Sequence, residues 1–544
     1  MRKPSKRLWR GIGVAVLLCA AGSAEAAGHF YVPFSLFLNT GGNQGMWLAD
    51  TDHLGNPPFQ LTNQALDSPG VVLDDWTLNA TTHLATNVQP QMVIYGVAGN
   101  LYKANLKTIG PVTQFSSGSY AQLCGLTALD ERPFAAAKAY VQAVVEPAGS
   151  TNTCDSGIGT QTWLIPANAT STTAPIIEPQ NWTVLSAFTD PTDESFVRWI
   201  VWTGNEVVAY KANFSSQTTL LVGPPAGPAP AVLGRVDGNA FLLAPADDGT
   251  THTDTLYRLS MAGSSLITSY SYADSAPCAV PMTTIGTAAS SMVDAGAGLL
   301  IYSEPMNSGY AMYTVPLAGG APSQIYADTS GNECGSIAGD AVSAGHAGVD
   351  EVDLPSGNQH VISVNEAGPV TQTAVFLAGD VNTFAYIRYT INGHFWIPTQ
   401  TITAAPTQFT TLVADGDGTV VQNYANARMG DDIWGGYDPS GKTPGIERDV
   451  VYLFSPNATP CTGGTLAAID PAAFTSVNIG GVPADACSAL AYGWQPASVG
   501  YVQEATGSRP VEIDPVGGTL YSLLGPQAGG LFENIAILPG YPFY

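Results

Sequence analysis

A β-rich unit recurs along the chain, and it restricts the possible folds more than any other feature of the sequence. Each copy contains a β-branched or aromatic run, a turn, a second run centred on a large apolar residue, a Gly/Asn/Pro turn and a third run. The centres of the copies are, in chain order, Trp47, Tyr102, Trp163, Tyr210, Tyr257, Tyr313, Val361, Trp396, Tyr452 and Tyr521. Successive centres are mostly about 50 residues apart, which is the length of one small four-stranded sheet in a repeat protein.

This spacing predicts an all-β protein built as one ring of sheets. Four-stranded sheets of this length pack around a central axis in β-propellers. We therefore expect a single large β-propeller of about eight blades, in a range of seven to ten, made mostly of four-stranded antiparallel sheets. We also expect the ring to close by mixing strands from the two ends of the chain. Two or more β-sandwich domains, or two smaller propellers in series, are the alternatives that the pattern leaves open.

Two copies of the unit are similar to the blade motif of a known family. Residues 256–263 read Leu-Tyr-Arg-Leu-Ser-Met-Ala-Gly, and residues 312–320 read Met-Tyr-Thr-Val-Pro-Leu-Ala-Gly-Gly. An aliphatic-Tyr strand that ends in a short glycine turn resembles the blades of TolB-like propellers, within the WD40-like β-propeller superfamily. The Ser-Pro-Asp-Gly turns of that family are absent from this sequence. The resemblance implies architecture and says nothing about activity.

The first 26 residues have the pattern of a secretory signal peptide. Five basic residues lie within the first ten positions, an apolar run follows from Gly11 to Ala21, and Ala24-Glu25-Ala26 fits the small-x-small cleavage rule. The apolar run is shorter than the roughly 20 residues that span a bilayer. We expect residues 1–26 to be removed and residues 27–544 to form the propeller in the periplasm or outside the cell. Lipidation at Cys19 is the less favoured alternative, since Leu18 precedes it where a small residue is usual.

The charge balance excludes several classes of partner. The chain has a formal net charge of −25, with 43 acidic and 18 basic residues. Such a surface repels nucleic acid and anionic lipid. We therefore expect no nucleic-acid partner, and no later apolar stretch is long enough to predict a membrane span.

Six cysteines remain beyond the predicted signal peptide, which indicates a disulfide framework. Sequence alone leaves their pairing open. Local pairing is our expectation, because each bond then closes a loop within neighbouring units: Cys124–Cys154, Cys278–Cys334 and Cys461–Cys487. A metal site is the alternative, although the chain has no Cys-x-x-Cys.

The most specific polar motif is Asp415-Gly416-Asp417-Gly418-Thr419. Asp415 and Asp417 are separated by one glycine and have carboxylates that could bind Ca²⁺. The residues that follow do not complete an EF-hand loop. Because Asp-Gly is also a favoured hairpin turn, a plain turn is the competing interpretation.

Other candidate site residues are weaker. Trp434, within a loop-like segment that begins Asp431-Asp432, is the best candidate for an exposed ligand-binding aromatic, since most other tryptophans lie in strand-like runs. The acidic pairs Asp247-Asp248 and Asp431-Asp432 are interpreted as loop acids, because neighbours on a strand point to opposite faces. The seven histidines show no zinc-binding spacing.

The sequence favours a binding or scaffolding module for a protein or glycan partner, without a cofactor other than the calcium considered above. It contains no G-x-S-x-G nucleophile elbow and no dinucleotide-binding motif. The alternative is a secreted glycan hydrolase or lyase that uses carboxylates from separate blades. Acids that converge in a channel-facing pocket would favour the alternative.

Overall fold

The structure is a computed structural model of the chain. It describes residues 31–36, 43–78, 85–129, 139–154, 159–178, 183–190, 193–211, 217–222, 230–236, 239–260, 263–279, 291–294, 296–379, 383–387, 389–401, 408–429, 450–459, 461–493, 498–526 and 535–537. Within these ranges, 41 strands form ten antiparallel sheets arranged as the blades of one β-propeller ring. The predicted signal peptide lies outside them.

The first five blades contain strands from the amino-terminal half of the chain and one strand from its end. Blade 1 contains β1 (Tyr31–Leu36), β2 (Gly45–Asp50), β3 (Phe59–Thr62) and β41 (Ile535–Ile537); blade 2, β4 (Val71–Leu78), β5 (Ala85–Val97), β6 (Asn100–Asn105) and β7 (Thr113–Gln114); blade 3, β8 (Tyr120–Leu129), β9 (Tyr140–Pro147), β10 (Gln161–Pro166) and β11 (Ile176–Ile177); blade 4, β12 (Thr183–Asp190), β13 (Asp193–Trp202), β14 (Glu206–Lys211) and β15 (Gln217–Val222); and blade 5, β16 (Ala231–Val236), β17 (Asn239–Asp247), β18 (Thr251–Ser260) and β19 (Gly263–Ala273).

The other five blades follow one another along the rest of the chain. Blade 6 contains β20 (Ser291–Asp294), β21 (Leu299–Met306), β22 (Gly309–Pro316) and β23 (Ser323–Asp328); blade 7, β24 (Glu333–Ser343), β25 (His346–Asp353), β26 (Gln359–Asn365) and β27 (Val375–Ala378); blade 8, β28 (Thr383–Ala385), β29 (Tyr389–Ile391), β30 (His394–Thr401), β31 (Gln408–Ala414) and β32 (Val420–Ala425); blade 9, β33 (Arg428–Met429), β34 (Val451–Pro456), β35 (Gly464–Ile469) and β36 (Ser476–Ile479); and blade 10, β37 (Ala486–Gly493), β38 (Ser498–Glu504), β39 (Gly507–Asp514) and β40 (Thr519–Ser522).

Each sheet has the same strand order, from a first strand near the ring axis to a fourth strand at the rim. The first strands of neighbouring blades contact one another, as β16, β20 and β24 do. In blade 8, β28 and β29 both pair with β30 and together occupy the first position. The ring closes in blade 1, where β41 pairs with β1 through Phe34 and Ile537. Closure by strands from both chain ends is therefore confirmed.

The number of blades is ten, at the upper limit of the predicted range and above the expected eight. Every centre found in the sequence belongs to a different blade. The copies around Val361, Trp396, Tyr452 and Tyr521 are complete sheets like the others.

The core lies between the faces of neighbouring blades. One cluster joins Ile301 and Met312 of blade 6 to Val349 and Ile362 of blade 7. Middle strands such as β22 are buried on both faces because a blade packs on each side, so they show no simple in–out alternation. The fourth strands are more exposed. No helix in the described residues is long and apolar enough to cross a membrane.

Candidate functional site

The two ends of the ring carry different connections because strand direction alternates within each sheet. The first and third strands of every blade begin at one end, and the second and fourth strands finish there. This end therefore carries the connections between blades and the turns between second and third strands. We call it the disulfide end. The remaining turns lie at the opposite end.

Three disulfides tie the disulfide end, and their pairing is the predicted one. In each, a cysteine of an end connection or turn bonds to a cysteine on a first strand of the same blade or of a following blade. The bonds are Cys124–Cys154 within blade 3, Cys278–Cys334 between the blade 5–6 connection and blade 7, and Cys461–Cys487 between blades 9 and 10. Disulfides are typical of chains that fold in an oxidising compartment.

Two clusters of ionisable side chains lie beneath this end, and the first joins blades 5 and 6. Asp254 on β18 is buried; its Oδ2 accepts a hydrogen bond from the Tyr272 hydroxyl at 2.9 Å, and its Oδ1 lies 3.0 Å from His252 Nε2. Glu304 on β21 contacts Asp254 from the next blade. Burial and the Asp254 carboxyl raise the pKa of Glu304 well above its usual value, which favours a proton on this carboxyl pair.

The second cluster joins blades 6 and 7 in the same way. The Tyr310 hydroxyl on β22 donates to Glu351 Oε1 on β25, and His360 Nε2 on β26 lies 2.7 Å from Glu351 Oε2. Glu333 Oε2 on β24 lies 4.0 Å from the same His360 nitrogen. Burial raises the pKa of Glu333 to about 7, and the hydrogen bond with Glu351 raises the pKa of His360. The arrangement brings two carboxylates and one imidazole together.

Strand register explains how residues far apart in sequence meet here. Glu351 pairs directly with His360 across β25 and β26, while Glu333 lies two positions along β24 from Gly335, the partner of Glu351. Residues two apart on a strand share a face. Gly335 leaves the space for the Tyr310 ring, because a Cβ at position 335 would lie 2.3 Å from it.

Sequence reasoning missed both clusters, although the repeat contained one signal. In four blades a buried glutamate lies near the end of the second strand, at the disulfide end: Glu146, Glu304, Glu351 and Glu504. An acidic residue that recurs at the same position of a repeated β unit indicates that these acids occupy equivalent places in their blades. Aligning the copies on their second strands rather than on their aromatic centres would have revealed it.

The predicted calcium residues lie at the opposite end, in the turn between β31 and β32. Asp415 closes this turn through backbone hydrogen bonds with Thr419 and Gly418, each 2.9 Å long. Its side chain is 2.6 Å from His394 Nδ1, and Asp417 Oδ1 accepts from the Thr419 amide. The hairpin turn that we considered is therefore present, and calcium binding stays a prediction.

The other sequence candidates are distributed as follows. Trp434, Asp431 and Asp432 lie outside the described residues, so the ligand-binding role of Trp434 stays a prediction. Asp248 caps an exposed turn at the disulfide end, where its Oδ1 accepts from the amides of Thr250 and Thr251. Four tryptophans that lie in strands are buried as expected for blade core: Trp47, Trp163, Trp202 and Trp396.

Comparison with known proteins does not assign the chain to a family. No protein-family model matches the chain, and no curated protein matches it, so membership of the TolB-like group stays a prediction. Among solved structures, a eukaryotic initiation factor is similar at 12% identity and TM-score 0.38, over 80% of this chain and 93% of that one.

Two peptidase structures are also similar, and this chain spans little more than half of each. Porphyromonas gingivalis dipeptidyl peptidase 4 is 10% identical with TM-score 0.37, over 84% of this chain and 59% of that one. Oligopeptidase B from Trypanosoma brucei is 10% identical with TM-score 0.33, over 70% and 54%. At these identities and scores, the similarities support no functional assignment for this ten-bladed propeller.

Proposed function

We propose that the protein is an exported binding or scaffolding module that holds a protein partner on its disulfide end. The observation that supports this most is the location of all three disulfides at that one end. A surface whose loops are already tied loses less conformational entropy when a partner binds. Loops from successive blades around a ring also offer a broad surface.

The charge of the chain suggests the chemistry of the partner. With a net charge of −25, the protein attracts partners that carry a basic surface. Attraction of this kind accelerates association and weakens as salt is added. We therefore expect a basic protein partner and binding that falls with ionic strength.

Glycan hydrolysis is the second candidate, because Asp254 and Glu304 do come together from separate blades. Their side chains are covered: Asp254 is 5% exposed and Glu304 is 1% exposed. Hydrolysis requires a sugar and a water molecule between or beside the two carboxyls. The burial of this pair therefore supports a structural role more than a catalytic one.

Site-specific photo-crosslinking tests the proposal. A photoreactive amino acid is introduced at exposed turn positions of the disulfide end, Ser308 and Ala505, and at matched exposed positions of the opposite end, Thr108 and Ala472. Each variant is irradiated in the exported-protein fraction of the cells that produce the protein. We expect one basic protein to be crosslinked from the first two positions, more weakly in high salt, and not from the second two.

Equal crosslinking from both ends, or none from the disulfide end, would contradict the proposal. Reducing-sugar release from a glycan panel, abolished in Glu304→Gln, would instead favour the hydrolase.

A further inference from the structure

Three side chains of blade 7 form a set of metal-ligand atoms. Glu333, Glu351 and His360 come from three adjacent strands, and one ligand atom of each lies within 4.8 Å of the other two. Donors bound to one zinc ion at about 2.0–2.1 Å are about 3.3 Å apart. The distances from His360 Nε2, 2.7 Å to Glu351 and 4.0 Å to Glu333, fall on either side of that value.

One oxygen of this set accepts no hydrogen bond from the described residues. Glu333 Oε2 is buried from solvent, and no hydrogen bond to it occurs within the described part of the chain. An unsatisfied carboxylate oxygen in a buried position is unfavourable. It faces His360 Nε2 at a distance too long for a hydrogen bond. A cation between the two atoms would satisfy it.

Neighbouring residues orient the three ligands, as the residues around metal sites in other proteins do. Glu351 is buried, and the Tyr310 hydroxyl occupies its Oε1, so its Oε2 is the oxygen directed at His360. Hydrogen bonds to ligating carboxylates orient them and are a regular feature of such sites. The disulfide at Cys334 anchors the strand next to Glu333.

The local charge also favours a cation. Asp328 and Asp353 act electrostatically on Glu333 in addition to Glu351, and His360 is the opposing group within this cluster. Four acids around one imidazole leave excess negative charge even when His360 is protonated. Although Glu333 Oε2 itself is buried, the side chains of Glu333 and His360 are 24% and 20% exposed, so the cluster lies next to solvent.

We infer that Glu333, Glu351 and His360 bind a divalent transition-metal ion of the zinc class. A mixed set of imidazole nitrogen and carboxylate oxygens suits Zn²⁺, whereas Ca²⁺ and Mg²⁺ prefer oxygen ligands alone. On binding, His360 Nε2 releases any proton it carries to solvent and donates its lone pair to the ion. The site is separate from the predicted calcium turn and does not depend on the proposed binding role.

Calorimetric titration of the chelator-treated full chain with Zn²⁺ tests the inference. We expect one ion per chain at this site and at least tenfold weaker binding in Glu333→Gln and in His360→Gln. The matched control is His394→Gln, which removes the histidine of the His394–Asp415 pair at the opposite end and should bind Zn²⁺ as the unaltered protein does. Unchanged affinity in both ligand variants, or no binding by the unaltered protein, would overturn the inference.

A second measurement works on the unaltered protein, in case a variant fails to fold. Diethyl pyrocarbonate modifies accessible histidines, and mass spectrometry locates the modification. Zn²⁺ should protect His360 at least fivefold and leave the more exposed His53 unprotected. Equal modification of His360 with and without Zn²⁺ would also overturn the site.

Discussion

The interface between blades 6 and 7 contains a buried glutamate at each end, and the two are accommodated in opposite ways. At the disulfide end, Glu351 is held by the Tyr310 hydroxyl and lies 2.7 Å from His360. At the opposite end, Glu366 contacts Asp294 from blade 6, and its Oε1 has no hydrogen-bond partner among the described residues. The same apolar core separates them.

This difference shows that burial alone does not decide what an acid contributes. Glu351 has hydrogen-bonding partners at both of its carboxylate oxygens. Burial and the Asp294 carboxyl raise the pKa of Glu366 to about 7, so it tends to keep its proton. We therefore expect the contribution of Glu351 to depend on its specific partners and that of Glu366 to depend on pH.

Among the variants of this interface, removal of the Cys278–Cys334 bond should cause the largest loss of stability. The double variant Cys278→Ser with Cys334→Ser frees a segment with a sequence separation of 56 residues. The chain-entropy relation for a loop of this length predicts a loss of about 4 kcal/mol in the free energy of unfolding. Urea unfolding followed by tryptophan fluorescence measures it. A loss below about 1 kcal/mol would show that the disulfide end does not need this bond.

Tyr310→Phe should cause the second largest loss of stability. The substitution keeps the ring but removes the donor to Glu351 Oε1, and a buried acceptor left without its donor costs about 1–3 kcal/mol. Tyr313→Phe on the same strand, outside this cluster, is the control and should cost less than about 1 kcal/mol. Equal losses in the two variants would mean that the hydroxyl of Tyr310 does not hold Glu351.

Gly335→Ala tests the space that Tyr310 needs. The new Cβ would lie 2.3 Å from the Tyr310 ring, and overpacking of this kind costs about 2 kcal/mol. Gly125→Ala is the matched control, since a Cβ at this strand position meets nothing within 4 Å. Thermal unfolding should therefore separate the melting temperatures of the two variants by about 2 °C, because the entropy of unfolding grows with chain length. Equal melting temperatures would show that the Tyr310 ring moves without cost.

Glu366→Gln should have the smallest effect and the opposite sign. Because the pKa of Glu366 is raised from 4.5 to about 7, its contribution to stability is present below pH 4.5 and lost as the pH rises to about 7. The variant should match the unaltered protein at pH 4 and exceed it by roughly 1–2 kcal/mol at pH 8, since solvent near the turn screens part of the effect. Unfolding curves at the two pH values measure this. Identical pH profiles would contradict the assignment.

Much of the fold was predictable because its signals are local. Strand-period runs around centres such as Trp47 and Tyr313 identified the repeat, and each centre lies in its own blade. The local pairing of the cysteines followed from the same division into units. The ten blades lie within the predicted range of seven to ten, although the expected number of eight was lower.

The clusters beneath the disulfide end were not predictable in this way. Glu351 and His360 belong to no recognisable motif, and Tyr310 lies in a different repeat unit. Their meeting depends on the register between β25 and β26 and on the packing of blade 6 against blade 7. Neither register nor blade packing is encoded in a short stretch of chain.

The amino-acid sequence by itself determined the class of fold and the repeat, and it favoured the cysteine pairs that the structure has, because strand periodicity, turn residues and short loops act over tens of residues. Only the tertiary structure decided that the three disulfides share one end, that the ring has ten blades closed by β41, and that Glu333, Glu351 and His360 lie together. The reason is that these features arise between strands and between blades, where the direction of each strand and the face of each side chain are set by pairing with distant segments.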